Sequence, residues 1–150
     1  MLLHKLIATS LGIGYIGKGA GTVAAIACCI CWYLAWAGSS QLYIPLGVTL
    51  IVTALGVWSG NKVEAIWGKD HQRVVIDEVA GMCISLLFLP VTYTYVIAAL
   101  ILFRFFDIFK PLYIRRAEKL PGGWGVMLDD IMAGIYANFL LQLCLALKLF

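Results

Sequence analysis

Five apolar runs, residues 23–37, 44–58, 74–89, 94–108 and 129–147, make up more than half of the sequence, and the segments joining them alternate between uncharged and charged. The chain is 63% hydrophobic and only 13% charged, with a mean hydropathy of +0.95. A soluble domain of this length has no interior large enough for that much apolar surface, so the runs are read as helices solvated by lipid. The expected fold is all-α: one domain, a polytopic membrane bundle of about five spanning or partly spanning helices. Residues 2–16 are too short and too interrupted by Gly12 and Gly14 to cross, and are expected to form an N-terminal interfacial helix.

The joining segments orient the bundle. Residues 38–43 and 90–93 carry no charge, whereas 59–73 hold Lys62, Glu64, Lys69, Asp70, His71 and Arg73, and 107–128 hold another group. Alternating crossings put both charged segments on the side of Lys5 and Lys18. The preference of Lys and Arg for the cytoplasm makes that side cytoplasmic, with Lys148 the one exception. The net charge of +3, without a basic patch interleaved with aromatics, gives no reason to expect a nucleic acid partner. Five cysteines all lie in apolar runs, without ligand-like spacing, and are read as packing residues. His4 and His71 are isolated and read as interfacial.

Nine of the nineteen Asp, Glu, Lys and Arg residues fall between Phe103 and Gly134. Together with Asp77 and Glu78 at the start of the third run, this puts acids of three helices, Asp77, Glu78, Asp107, Asp129 and Asp130, at one membrane face. An ionised carboxylate at that depth costs at least about 2–3 kcal/mol unless it is paired, hydrated or metal-bound, so acids there point to a site. Asp77, Gly81 and Ser85 share one helix face, and Asp130, Gly134 and Asn138 share another. A glycine one turn beyond each acid lets the two faces approach closely.

Carboxylates without His or Cys suit a hard cation, Mg2+ being expected. Arg104, Lys110, Arg115 and Arg116 supply positive charge for a phosphate. The combination points to phosphoryl transfer to water. Asp77 and Glu78, about 100° apart on a helix, cannot serve one ion in the same way; one can bind metal while the other orients or deprotonates water. The glycine-rich stretch Gly14–Thr22 precedes a helix expected to begin near Thr22, and its free N–H groups and Lys18 can hold an anion. An ion-coupled transporter is the alternative from another class, and a purely structural membrane subunit a third; a transporter predicts acids spread through the membrane depth.

VIDEVAGM (75–82), FRFFDIFKP (103–111), IRRAE (114–118) and GGWGVMLDDIMAG (122–134), in this order and with the glycine-rich GAGT (19–22), closely resemble the motifs of the phosphatidylglycerophosphatase A family. The resemblance implies Mg2+-dependent hydrolysis of the terminal phosphate of phosphatidylglycerophosphate to phosphatidylglycerol, within phospholipid biosynthesis, in the bacterial cytoplasmic membrane. Carried over by position, it implies Asp77, Glu78, Asp107, Asp129 and Asp130 as catalytic residues. Asp77, Glu78, Asp129 and Asp130 become metal ligands, and Gly21, Thr22, Arg104, Lys110, Arg115 and Arg116 contact the substrate. One departure concerns the glycine-rich loop, where the family pattern P-x-x-P-G-T meets Gly17 and Ala20. Trp124, among Gly122, Gly123 and Gly125, is expected at the membrane interface, on a loop.

No cysteine is followed six positions later by arginine, no D-x-D occurs, and the acids do not fit the pattern of enzymes that transfer phosphatidyl groups to alcohols.

Overall fold

The computed structural model describes residues 2–39, 41–69, 71–111, 114–117 and 119–149. Ser40 of the first uncharged turn, Asp70 and Glu118 lie outside the described residues. The described chain is helical, without strands: α1 (Leu2–Ala8), a 3-10 turn (Ile13–Ile16), α2 (Ala20–Trp36), α3 (Tyr43–Trp67), α4 (Ile76–Leu86), α5 (Tyr93–Phe109), α6 (Ile114–Ala117) and α7 (Gly122–Ala146). Helix α7 is the hub, in contact with α3, α4, α5 and α6.

Two helices, α3 and α7, are long and apolar enough to cross a membrane. Each has 25 residues, about 37 Å of helix. Helices α2 and α5 have 17 residues each and α4 has 11, short of the roughly 20 that a full crossing takes. The outer surface is nevertheless lined with large apolar side chains, among them Ile30, Leu34, Ile51, Ile97, Ile101 and Phe139, all more than half exposed. Contiguous apolar surface of this kind marks a membrane protein.

The boundaries depart from expectation in three places. Residues 59–73, expected as a polar loop with some helix in it, are helical as far as Trp67 as the end of α3, where Val63 is buried in the core and Gly68, at φ +90°, stops the helix. Helix α7 begins seven residues before Asp129, so Trp124 stands exposed on a first helical turn and not on a loop. That turn is fixed by α3: the Gly123 N–H donates to Asn61 Oδ1 at 2.6 Å, and a β-carbon on Gly123 would strike the Val57 carbonyl.

Helix α4 ends at Leu86, before Pro90 is reached. Its last carbonyls are taken by α7: Asn138 Nδ2 donates to Ser85 O (3.1 Å) and Leu87 O (2.8 Å), and Gln142 Nε2 to Leu87 O and Phe88 O (both 3.3 Å). Amide side chains thus replace the intrahelical partners that a half-length helix lacks. The other end of α4 is tied to the N-terminal segment, with the Val75 N–H donating to Ala8 O and Gly14 lying against the Arg73 carbonyl.

Helices α4 and α7 cross through their glycines, as the sequence spacing predicts. A β-carbon on Gly81 would lie 2.6 Å from the Asp130 carbonyl oxygen and 2.5 Å from the Phe103 ring, and one on Gly134 would strike the Gly81 carbonyl. This backbone contact brings the acid-bearing turns of the two helices together. Phe103, fully buried on α5, closes the third side.

Candidate active site

Helices α4 and α7 run parallel and α5 antiparallel to both, which gathers the N-terminal turn of α4, the C-terminal end of α5 and the third turn of α7 at one end of the bundle. Asp77, Asp129 and Asp130 are 7%, 6% and 1% exposed, while Glu78 and Asp107 are partly open. One oxygen from each of Asp77, Asp129 and Asp130 lies within 4.8 Å of the others, and the same holds for Glu78, Asp107 and Asp130. The adjacent acids of α4 therefore belong to different groups, whereas the adjacent Asp129 and Asp130 of α7 share one. Asp130 belongs to both.

Two cations bind the outside of this cluster. Arg104 Nη1 donates to Glu78 Oε2 at 2.6 Å and to Asp107 Oδ2 at 2.5 Å, joining α5 to α4. Lys110 Nζ donates to Asp129 Oδ2 at 2.7 Å, from a residue in the left-handed conformation that ends α5 just before Pro111. Backbone amides supply two further bonds: the Glu78 N–H donates to Asp77 Oδ1 at 2.9 Å, and the Asp130 N–H to Asp129 Oδ1 at 3.0 Å. Asp130 Oδ2 is buried with no hydrogen-bond partner among the described residues. A buried carboxylate oxygen without a donor costs several kcal/mol by burial of charge, roughly the expense of a broken buried ion pair. Oxygen-only donors around such an atom fit a hard divalent cation such as Mg2+. Asp77, Asp129, Asp130, Glu78 and Asp107 are the residues able to hold it.

The glycine-rich segment comes close to this cluster from α2. A β-carbon on Gly21 would lie 2.6 Å from Glu78 Oε1, so glycine there permits α2 to seat against the acid. Helix α2 starts at Ala20, two residues earlier than expected, and Thr22 is exposed on its first turn. Gly17 adopts φ +98°, ψ −128°, which a proline ring cannot reach, so the loop is built differently from one with proline at this position. Arg115 and Arg116 are exposed on the short helix α6, which packs on α7.

Sequence reasoning did not single out Asn61 or Gln142. Both are amides that donate to or accept from a backbone group across a helix interface, Gln142 one turn beyond Asn138 on α7 and Asn61 one turn before Glu64 on α3. Neither touches the carboxylates; they hold the helices that carry them.

A sequence model of the family "Phosphatidylglycerophosphatase A" matches residues 6–145. The chain belongs to the phosphatidylglycerophosphatase A family. Relatives named phosphatidylglycerophosphatase A come from Haemophilus influenzae, at 40% identity over 88% of this chain and 82% of the relative, and from Escherichia coli, at 35% over 87% and 76%. A Bacteroides thetaiotaomicron protein, 42% identical over 93% of this chain and 91% of its own, is named as a candidate phosphatidylinositol-3-phosphatase. No solved structure gives a significant match. The names of these relatives agree on a lipid phosphomonoester and differ on its headgroup.

Proposed function

We propose that this protein is a Mg2+-dependent phosphatase that hydrolyses the terminal phosphomonoester of phosphatidylglycerophosphate, releasing phosphatidylglycerol and inorganic phosphate during phospholipid biosynthesis. A water oxygen bonds to phosphorus, the ester P–O bond breaks, and the departing glycerol oxygen takes a proton. The observation that carries the reading is the convergence of five carboxylates on Asp130, bordered by Arg104 and Lys110, in a chain of this family. Bound Mg2+ would supply charge stabilisation for the phosphoryl oxygens and acidify a water. The chain's own residues do the rest. Arg104 spends one guanidinium nitrogen on Glu78 and Asp107, and its further N–H donors suit a phosphate oxygen. Asp77, Glu78 or Asp107 can accept the proton of the attacking water, and Lys110, Arg115, Arg116 and the first turn of α2 at Gly21 and Thr22 surround the phosphate.

A lipid substrate also suits the surroundings. Below the Thr22–Arg104 level, α2 and α5 leave an apolar groove of about 270 Å3, lined by Ile26, Ile30, Tyr33, Tyr93, Ile97 and Leu100 among others. It ends near the Tyr33–Tyr93 stack, whose ring centroids are 4.7 Å apart. An acyl chain fits such a groove while the headgroup meets the carboxylates. The reading is completed by a multi-pass arrangement in the bacterial cytoplasmic membrane, with α2 and α5 crossing where the bilayer is locally thinned and the carboxylate end facing the cytoplasm. Among the described residues every acid sits toward that end, so a transporter pathway through the depth of the bilayer has no acids to line it.

Phosphate release by purified protein in detergent from phosphatidylglycerophosphate and, in parallel, from phosphatidylinositol 3-phosphate tests both headgroups. The expected outcome is release from the first, abolished by chelator and restored by Mg2+. Release from the second alone would transfer the substrate to the inositol lipid, and release from neither by folded protein with Mg2+ would sink the phosphatase.

A further inference from the structure

The cluster divides into two three-carboxylate groups that share a single residue, and this division carries a consequence for its occupancy. Asp77, Asp129 and Asp130 form one group; Glu78, Asp107 and Asp130 form the other. Each has its own cation on the outside, Lys110 on Asp129 and Arg104 on Glu78 and Asp107. Neither cation reaches the shared member: among the described residues Asp130 Oδ2 has no partner, in a residue only 1% exposed.

Charge bears on how many ions the cluster takes. In the ionised form in which carboxylates bind metal, five of them against the two cations that touch them, Arg104 and Lys110, leave three negative charges in excess within the cluster itself. One divalent ion would still leave the cluster negative by one, facing a phosphomonoester that itself carries about −2 near neutral pH. Two divalent ions bring it to a net charge of plus one, which attracts the phosphate. We infer that Asp130 bridges two divalent-cation positions, one completed by Asp77 and Asp129 and the other by Glu78 and Asp107. Two ions sharing a carboxylate stand about 3.5–4 Å apart, the separation at which a pair can contact both the attacking and the leaving oxygen of one phosphoryl group. The inference rests on the metal-dependent reading of the site, and binding can be measured without turnover.

Mn2+ is a suitable probe, because it accepts the same oxygen ligands and is paramagnetic. Equilibrium dialysis of the detergent-purified chain against Mn2+, followed by low-temperature electron paramagnetic resonance, is expected to give two ions per chain with a spin-coupled spectrum. Asp107→Asn and Asp129→Asn should each hold one ion with the spectrum of an isolated Mn2+. A wild-type chain that saturates with one ion, holds none, or holds two without spin coupling overturns the inference, and this arm needs no variant to fold. If Mg2+-dependent phosphate release accompanies single-ion binding, the phosphatase stands and the bridging role of Asp130 falls. If two coupled ions bind and no phosphate is released, the ion pair stands and the assigned activity falls.

Discussion

Helices α4 and α7 bury polar groups at both ends of their contact, and the two ends are finished differently. At the far end the carbonyls of Ser85, Leu87 and Phe88 emerge from a helix that stops short, and Asn138 and Gln142 donate to them. At the near end Asp77, Asp129 and Asp130 meet within a few ångströms and Asp130 Oδ2 is left without a donor. Both ends sit in the same apolar bundle, where an unmet polar group is expensive. Along this contact, among the described residues, the carbonyls at the far end are satisfied and Asp130 Oδ2 at the near end is not, the pattern expected if the near end takes a ligand.

The sharpest way to break that contrast is Asp130→Asn. Losing the shared carboxylate should lower phosphate release by roughly a thousandfold or more, an effect on the scale of removing a main transition-state contact. Stability should move in the opposite direction. Without metal, the variant no longer buries an uncompensated charge and should unfold at the same or a higher temperature than the parent. Mg2+ should raise the parent's unfolding temperature, since a ligand of the native state alone stabilises it, and raise the variant's by less. Appearance of thiol reactivity at the buried Cys28, Cys29 and Cys83 on heating measures both. A variant that unfolds well below the metal-free parent would show that Asp130 is part of the scaffold.

Gly81→Ala attacks the contact from which both ends hang. Its new methyl group would meet the Asp130 carbonyl and the Phe103 ring, and backbone cannot step aside as a flexible side chain can. Overpacking of this kind costs roughly 1–3 kcal/mol. The same thiol assay should show a lower unfolding temperature, with activity lost in step because Asp130 is carried on the strand of backbone that is pushed. Unchanged stability would mean the helices do not cross through these glycines.

Asn138→Leu probes the far end alone. Ser85 O loses its amide donor and Leu87 O keeps only Gln142, which should cost about 1–2 kcal/mol. Activity per folded molecule should stay near that of the parent. A variant as stable as the parent but inactive would reverse the assignment of the two ends.

How much of this was legible in the sequence differs along the same division. The near end was readable because acids stand out in an apolar chain and helical periodicity places them: the Gly81 and Gly134 crossing follows from 3.6 residues per turn. Helix ends were less so. Pro90 is a visible stop, but α4 ends earlier because amides on α7 accept its termination, a tertiary cause with no local mark. Lys62, Glu64 and Lys69 make residues 59–73 read as a polar loop with at most partial helix, yet Lys, Glu and Ala are good helix formers and the buried Val63 draws the end of α3 inward as far as Trp67. The apolar runs give about five spanning or partly spanning helices, whereas among the described residues two have the length and composition to span in full.

The first turn of α7 gives the smallest effect and a clean control. Its glycines suggest a loop, but Gly123 is there because the Val57 carbonyl leaves no room for a side chain, and its N–H is held by Asn61. Trp124 points outward and is 54% exposed. Trp124→Leu removes an amphipathic ring at the membrane boundary and touches neither end of the α4–α7 contact. Stability should change by no more than about 0.5 kcal/mol, as for other surface substitutions, and phosphate release should be within twofold of the parent. Loss of activity with Mn2+ binding intact would instead mean that Trp124 closes over the headgroup, and the polar end of the bundle would then extend beyond its carboxylates to the membrane surface.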